Sequence, residues 1–452
     1  MNLKTFKENL FTQAQSAGFE EYELYCQNGN RTTINIFNQQ VQQFTNASSA
    51  GVSFRGKFAG KMGYASSERI HEDIIPFLIS SAKANAEIIE TAEIEELFTG
   101  SPSYPTVETH NPTLSTITSE QKIEKALKAE ATAKSFDEKI VAVPYCTISD
   151  GETEILIANS KGLDVTDKSN NMYAFAYSQA SDGVSTKMGL DLHIGFDFED
   201  FDPVTLGEKS AQNALNSLGA SPVPSGKYKV VLDEKCASDL LGVFFPAFSA
   251  EQAGKGFSML AGKLGEQVAS DSITIIDDPL LPRQLGSRPF DSEGVAAHTK
   301  TVVDAGNFKT FLHNTKTARK DGVAPTGNGL KSAFNAPVTI GGTNFFIKPS
   351  TKTKEDLYTE VGDGLLITSF AGIHAGANPV SGEFSLQASG FVIKDGKKDR
   401  PIELITASGN FFTLLTQVSA VANDLSFCVI PNPNGNIASP SLLIQTLDIA
   451  GN

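Results

Sequence analysis

The stretch from Gly219 to Gly226, with the sequence GASPVPSG, constrains the fold of this 452-residue chain more than any other. Its two prolines and two glycines within eight residues favour neither a helix nor a strand, so it predicts a domain boundary. A chain of this length is also too long for one ordinary core. We therefore predict an N-terminal domain over residues 1–222 and a C-terminal domain over residues 223–452.

The periodicity before this boundary predicts an α+β domain in which a sheet meander is combined with helices. Apolar residues at helical spacing predict a first helix that ends at Gly18 and a second helix with Pro76 in its first turn. Short alternating runs between them predict the strands of the meander. The proline-containing stretch from Thr99 to Thr118 predicts an exposed connector, Ser119 is the predicted cap of a third helix, and a fourth helix is predicted from about Leu206 to Leu218.

The pattern after the boundary predicts a β-rich, barrel-like domain, so the fold class of the whole chain is α+β. One helix is predicted where four apolar residues recur on one face: Leu240, Leu241, Phe244 and Phe248. Pro246 interrupts this pattern and predicts a kink or a restart near Ala247. A strand is predicted from Ile273 to Ile276, and another helix from Asn410 to Asp424.

Charge and composition exclude several classes of function. The formal net charge is −15, whereas proteins that bind nucleic acid usually present a basic face, so we expect no direct nucleic-acid partner. No apolar run approaches the roughly 18 residues of a membrane helix, and the N-terminus lacks the features of a signal peptide. The four cysteines are far apart in the sequence, which favours a reducing, cytoplasmic location.

Several separated blocks of sequence resemble a known family. AGKLGEQVAS from Ala261 to Ser270, followed by ITIIDDP, is similar to the central signature of the TldD/PmbA family. The segments from Glu23 to Ser66, from Asp291 to Gly329 and from Asn378 to Gly396 match further blocks in the same order. The resemblance implies a protein linked to peptide processing, and members of this family have also been described as modulators of DNA gyrase.

The resemblance also indicates which branch of the family the chain is closer to. The TldD branch carries His-Glu-x-x-x-His, which holds a metal for peptide hydrolysis, and the matching positions here are Leu241, Gly242 and Pro246. We call these three residues the motif positions; none of them can act as a metal ligand or a general base. The further cysteine ligand of that branch has no counterpart between Pro431 and Leu443, and Cys428, which lies upstream, is predicted to be buried. These departures point to the PmbA branch, also called TldE, and imply no cofactor in this chain, with zinc expected only in a partner subunit.

Other residues are candidates for functional sites. Phe248, Glu251, His374 and Asn378 are the candidates for a peptide groove, although a tight structural turn explains the glycines around His374 better. A metal between His298 and His313 across a hairpin is a weaker alternative. Asp277 and Asp278 form a carboxylate pair that suits acid/base work, but a turn at the end of a strand explains them better.

These observations favour one function and leave two alternatives. The first is a non-catalytic partner subunit of a TldD-type metallopeptidase that degrades unfolded peptides or small proteins, with a homodimer expected when the chain is isolated. The second is a metallopeptidase with a non-standard site in this chain. The third is a non-enzymatic protein that binds DNA gyrase.

Overall fold

The computed structural model describes residues 3–90, 96–427 and 432–452. The regular elements before residue 220 are α1 (Leu3–Ser16), β1 (Glu21–Phe37), β2 (Gln40–Phe58), β3 (Lys61–Ser67), α2 (Ile75–Ile88), α3 (Ser119–Ser135), β4 (Ile140–Asn159), β5 (Asp164–Ser181), β6 (Thr186–Gly195) and α4 (Pro203–Asn216). Short 3-10 turns lie at Glu72–Ile74 and Leu114–Thr116.

The six strands form one antiparallel sheet in the order β3-β2-β1-β4-β5-β6. Alternate residues of β1 point to one face, where Leu24 and Cys26 pack with α1 and α2. Ile34 and Ile36 lie on the same face and pack with α3 and α4. The period of two in the strands and the apolar stripes of the helices thus produce a two-layer structure. The opposite face of β1 contacts the C-terminal part of the chain through Tyr25.

The N-terminal elements agree with the sequence predictions, with local corrections. The first helix ends before Gly18, whose φ of 86° favours glycine, and the second helix has Pro76 in its first turn. The cap of α3 is Thr118 and not Ser119, because the Thr118 hydroxyl accepts a hydrogen bond from the Gln121 amide. The predicted connector from Thr99 to Thr118 is only partly exposed, since Thr109 and Leu114 in it are buried.

The elements after residue 220 are mostly strands. They are β7 (Gly226–Leu232), α5 (Glu234–Phe244), α6 (Ala250–Gly254), β8 (Ile275–Asp277), β9 (Lys300–Asp304), β10 (Asn307–Phe308), α7 (Thr315–Asp321), β11 (Gly329–Leu330), β12 (Thr339–Ile340), β13 (Asn344–Ile347), α8 (Lys354–Val361), β14 (Gly364–Ala371), α9 (Ile373–Gly376), β15 (Glu383–Lys394), β16 (Lys397–Asn410), α10 (Phe411–Thr416), β17 (Val418–Val421), β18 (Asn436–Ala438) and β19 (Leu442–Ala450). In the described part of the chain, no helix is both long enough and apolar enough to cross a bilayer.

Five of these strands close into a barrel, as the barrel-like prediction implied. The order is β16-β15-β14-β7-β19, and β19 pairs back with β16, which removes the open edges of the sheet. A second sheet has the order β10-β9-β8-β13-β18. Helix α5 lies between these two structures, because its apolar residues join one core with residues of both sheets.

The predicted boundary at Gly219 to Gly226 runs without a helix or a strand until β7 begins. It is nevertheless attached to the barrel. The Arg400 guanidinium donates to the backbone oxygens of Ser221 and Pro222, at 3.1 and 3.2 Å, and Val223 is buried. The division at residues 222 and 223 remains a prediction.

Three predicted elements in this part are corrected. Helix α5 ends at Phe244, and Phe245–Phe248 forms a 3-10 turn that accommodates Pro246. The helix predicted from Asn410 to Asp424 is wrong in its second half, because α10 ends at Thr416 and the next residues form β17. Hydrogen bonding of β17 to β19 overrides the helical spacing of its valines. The strand predicted from Ile273 begins two residues later.

A buried carboxylate joins two strands of the second sheet to the residues that precede β11 and β13. Asp277 is fully buried at the end of β8, and its side chain pairs with the Lys300 ammonium of β9 at 3.0 Å. It also accepts from the Thr343 amide at 2.6 Å and from the Asn328 side-chain amide at 2.8 Å. Burial by itself raises the pKa of Asp277, but Lys300 and these donors outweigh it and lower that pKa. Asp277 is therefore a structural residue, whereas its neighbour Asp278 caps a turn by accepting from the Leu280 amide.

We predict that Asp277→Ala lowers the free energy of unfolding by about 3–5 kcal/mol, because it leaves Lys300 buried without its counter-charge. The matched control Asp278→Ala removes a turn cap and is expected to cost about 1 kcal/mol. Denaturant unfolding of both variants tests this prediction. Equal losses in the two variants would contradict the structural role of Asp277.

Candidate functional site

The motif positions lie at the end of α5 and in the 3-10 turn that follows it. Helix α5 is capped by Asp233, whose carboxylate accepts from the Cys236 amide at 2.8 Å. Leu241 and Gly242 are buried on this helix, and Pro246 is partly buried in the turn. The surrounding core is aromatic and consists of buried side chains from both sheets and the helix: Phe244, Phe245, Phe248, Phe308, Phe345, Phe384 and Phe411.

The C-terminal segment that corresponds to the cysteine-bearing region of the TldD branch packs directly against these positions. The Asn434 side-chain amide donates to the Gly242 carbonyl at 3.2 Å. A Cβ atom on Gly242 would lie 2.3 Å from the Nδ2 atom of Asn432. The Ser439 amide donates to the Ser238 hydroxyl one turn earlier on α5, at 2.8 Å. The structure therefore brings together the two regions in which the sequence lacks metal ligands.

These residues do not fit a zinc ion. An aliphatic side chain, a glycine and a proline offer no side-chain lone pair to a metal. The core around Leu241 is hydrocarbon, and the polar side chains at Gly242 are the neutral carboxamides of Asn432 and Asn434. Within residues 3–90, 96–427 and 432–452, no group of three His, Cys, Asp or Glu side chains could hold a metal. Cys428 lies outside the described residues.

Two of the four groove candidates lie in one tight turn. His374 is exposed on the single-turn helix α9, and Asn378 follows it. The Asn378 carboxamide oxygen accepts from the Val380 amide at 3.0 Å, which is the pattern of an Asx turn. A hollow of about 550 Å³ beside this turn is lined by Asn378 but not by His374. These contacts favour the structural interpretation of the turn.

The other two groove candidates lie elsewhere. Phe248 is buried, with its ring centre 5.3 Å from that of Phe345, so it is part of the core. Glu251 is on α6 and pairs with Lys255 at 2.7 Å. Neither residue lines the hollow beside Asn378. The hollow therefore includes only one of the four candidates, and a groove formed by all four remains a prediction.

The histidines on either side of the predicted hairpin, His298 and His313, also belong to no potential metal site among the described residues. Strands β9 and β10 form the predicted hairpin, with Ala305 and Gly306 at its turn. His313 is buried after it, and burial lowers its pKa although Asp321 lies 3.9 Å away. A lowered pKa favours the neutral imidazole, which is also the form that binds metals. A metal is disfavoured here because no group of three His, Cys, Asp or Glu side chains in the described part of the chain could hold one.

Comparison with known proteins places the chain in a family. Three family models match in order: PmbA/TldA metallopeptidase domain 1 over residues 22–86, the central domain over 112–218 and the C-terminal domain over 225–451. The chain belongs to the TldD/PmbA family, in its PmbA (TldE) branch. The predicted family and branch are therefore confirmed.

Individual relatives agree with this assignment. A metalloprotease PmbA homologue of Haemophilus influenzae is 28% identical over 340 residues, which are 73% of this chain and 69% of that protein. A structure described as a proposed modulator of a DNA gyrase, from Thermotoga maritima, has a TM-score of 0.91 and 33% identity and covers 99% of this chain and 100% of its own. TldE from Thermococcus kodakarensis, with a TM-score of 0.90, 24% identity and coverage of 99% and 100%, shares the fold.

Sequence reasoning missed the polar contacts that close the site in this PmbA-type chain. Asn434 and Ser439 form hydrogen bonds that hold the C-terminal segment against α5, and the Asn432 side chain lies next to Gly242. The sequence PNPNGN from Pro431 to Asn436 carried a signal, since an Asn-Gly pair after two prolines is typical of a tight turn. Which helix that turn faces is not encoded in the local sequence.

We predict that Leu241→His lowers the free energy of unfolding by about 2–5 kcal/mol, because it replaces a fully buried aliphatic side chain with a polar ring that has no partner among the surrounding phenylalanines. Leu241→Met is the matched control, with a similar volume and an expected loss below about 1.5 kcal/mol. Denaturant unfolding measures both. A histidine variant as stable as the methionine variant would show that the motif position tolerates a polar group.

Proposed function

We propose that this chain is the non-catalytic partner subunit of a TldD-type metallopeptidase that degrades unfolded peptides or small proteins. The observation that carries the proposal is the chemistry of the motif positions. Leu241 and Pro246 have no lone pair for a metal, and Gly242 has no carboxylate to take a proton from a metal-bound water. A chain of this family without these groups needs a second subunit to supply them.

Retention of the complete family fold supports a partner role. The match to the structure from Thermotoga maritima covers 99% of the chain with a TM-score of 0.91, so the missing ligands are not part of a wider loss of structure. The segment from Asn432 to Ser439 is also in direct contact with α5. A subunit that pairs with the enzyme and shapes its chamber needs the family fold, but it does not need the metal ligands.

The proposal includes the assembly and location of the chain. Zinc is assigned to the TldD-type subunit and no cofactor to this chain. When the partner is absent, the same surface is expected to pair two copies of the chain in a homodimer. The location is proposed to be cytoplasmic, where the buried cysteines Cys26, Cys146 and Cys236 remain free thiols.

We predict that the purified chain contains less than about 0.1 zinc per molecule and cleaves no unfolded peptide, because a catalytic zinc needs about three protein ligands. Mixing it with a TldD-type subunit that carries His-Glu-x-x-x-His is expected to give a stable complex with chelator-sensitive peptidase activity. Elemental analysis, size-exclusion chromatography and a peptide-cleavage assay measure these outcomes. A complex in which the partner's motif glutamate is replaced serves as the inactive control.

Two results would replace this proposal. About one zinc per chain together with chelator-sensitive cleavage by the chain alone would make it a metallopeptidase with a non-standard site. Capture of DNA gyrase, with no complex formed with a TldD-type subunit, would make it a gyrase-binding protein.

We also predict that the triple variant Leu241→His, Gly242→Glu and Pro246→His gains no peptidase activity. The groups that would orient the new imidazoles are absent from the apolar surroundings, and a side chain on Gly242 would meet Asn432. Zinc content and cleavage are measured on the folded variant, with the wild-type chain as the control. Zinc uptake accompanied by cleavage would show that the aromatic core can accommodate a working metal site.

A further inference from the structure

A cavity of about 820 Å³ lies where the N-terminal sheet meets loops of the C-terminal part. Strands β1 to β3 form one wall, and helix α7 and the loops around residues 292 and 335 form the others. The volume is within the range of small-ligand sites in proteins. The cavity is distinct from the motif positions, since none of them lines it.

Lys331 is the central charged group of this cavity. Its Nζ atom donates to the Ser53 hydroxyl and to the Phe334 carbonyl, both at 3.1 Å. It also lies 4.4 Å from the centre of the Tyr25 ring. Among the residues that the structure describes, no carboxylate forms an ion pair with it. The ammonium group is thus partly buried with neutral partners only.

The neighbouring carboxylates are already engaged. Glu23 pairs with Arg55 at 2.7 Å, and Glu96 pairs with Arg319 at 3.0 Å. The Glu293 carboxylate accepts from both the amide, at 2.8 Å, and the hydroxyl of Thr315. None of these carboxylates is in contact with Lys331, so a cation remains in a cavity that an outside anion can enter.

The pKa of Lys331 reflects the burial of its ammonium group without a paired carboxylate. Burial, followed by the nearby Arg55 guanidinium, lowers the pKa of Lys331 to about 8. Glu23 and Glu293 act in the opposite direction without restoring the ordinary value. An anion beside Nζ would supply the counter-charge that a buried ammonium needs.

We propose that this cavity binds the terminal carboxylate of a short peptide, with the Lys331 ammonium as its counter-charge. The apolar wall suits a peptide better than an inorganic ion, since Tyr25, Ala65, Ala336, Pro337 and Val338 line it. The naming of a peptide as the ligand rests on the proposed function. The carboxylate itself follows from the cavity and its cation.

Binding at this position is linked to proton uptake. A carboxylate beside Nζ favours the charged amine, so it raises the pKa of Lys331 and is bound more weakly as the pH rises above about 8. The other titratable groups that line the cavity come from every element around Lys331: Glu23 and Tyr25 of β1, Arg55 of β2, Tyr64 of β3, Glu96, Glu293, and Lys316, Arg319 and Lys320 of α7. Burial raises the pKa of Tyr25 to about 12, so its hydroxyl stays neutral through this range.

The test is calorimetric titration of the purified full chain with a tripeptide that ends in phenylalanine, as the free acid and as the C-terminal amide. We expect the acid to bind at least about tenfold more tightly at pH 7, because only the acid places a negative charge beside the Lys331 ammonium. At pH 8, titrations in two buffers of different ionisation enthalpy should show uptake of up to about half a proton.

Two variants and a control assign the effect to Lys331. Lys331→Met should remove the preference for the acid, and Lys331→Arg should keep it within about threefold, because the positive charge is retained. Lys398→Met is the matched control, since Lys398 is another partly buried lysine with a lowered pKa, 3.7 Å from the Phe391 ring centre in a different cavity. This control should bind both peptides as the wild-type chain does.

Equal binding of acid and amide by the wild-type chain, or an unchanged acid preference in folded Lys331→Met, would overturn the proposal. Acetate competing at the same concentration as the tripeptide would also overturn it, by showing a site for small organic acids. If Lys331→Met does not fold, the proposal is still tested by the wild-type chain, through its acid and amide titrations and its proton uptake. These measurements need neither zinc nor a second subunit, so their failure is distinct from failure of the partner-subunit proposal.

Discussion

The structure depends on the aromatic packing that holds the end of α5 between the barrel and the second sheet. Phe244 stacks on Phe411 from the barrel side, with ring centres 4.7 Å apart. The next residue, Phe245, points the other way and meets Phe345 edge to face at 5.1 Å. Such pairs contribute about 0.5–1.5 kcal/mol each beyond the apolar area that they bury. Because adjacent residues of one helix end contact opposite structures, they fix the position of the barrel relative to the second sheet.

The motif positions lie within this packing, so apolar contacts rather than metal ligands hold the scaffold together at these positions. A metal site needs ligands with lone pairs and further polar groups that orient them. Here Leu241 faces hydrocarbon, and the contact between α5 and the C-terminal segment is made by Asn434 and Ser439 through ordinary hydrogen bonds. Helix α5 and the C-terminal segment are therefore held together by apolar packing and by hydrogen bonds between side chains and backbone groups.

Two buried lysines show how surroundings decide the role of a charge. Lys300 pairs with Asp277 at 3.0 Å, and this carboxylate is further bonded by Thr343 and Asn328, so the pair is satisfied and structural. Lys331 contacts a hydroxyl, a carbonyl and an aromatic ring, and its pKa falls to about 8. The same side chain therefore stabilises the fold at one position and leaves a charge available to a ligand at the other.

The sequence by itself determined what depends on residue chemistry and local spacing. The first two helices, the barrel-like β-rich part and the absence of ligands at Leu241, Gly242 and Pro246 follow from side-chain type and period. The tertiary structure alone decided that residues 418–421 form a strand, since pairing with β19 overrides their helical spacing. It also decided the Lys331 cavity, because Ser53 precedes Lys331 by 278 residues. Contacts across such distances arise only when separate sheets pack, and no local pattern encodes them.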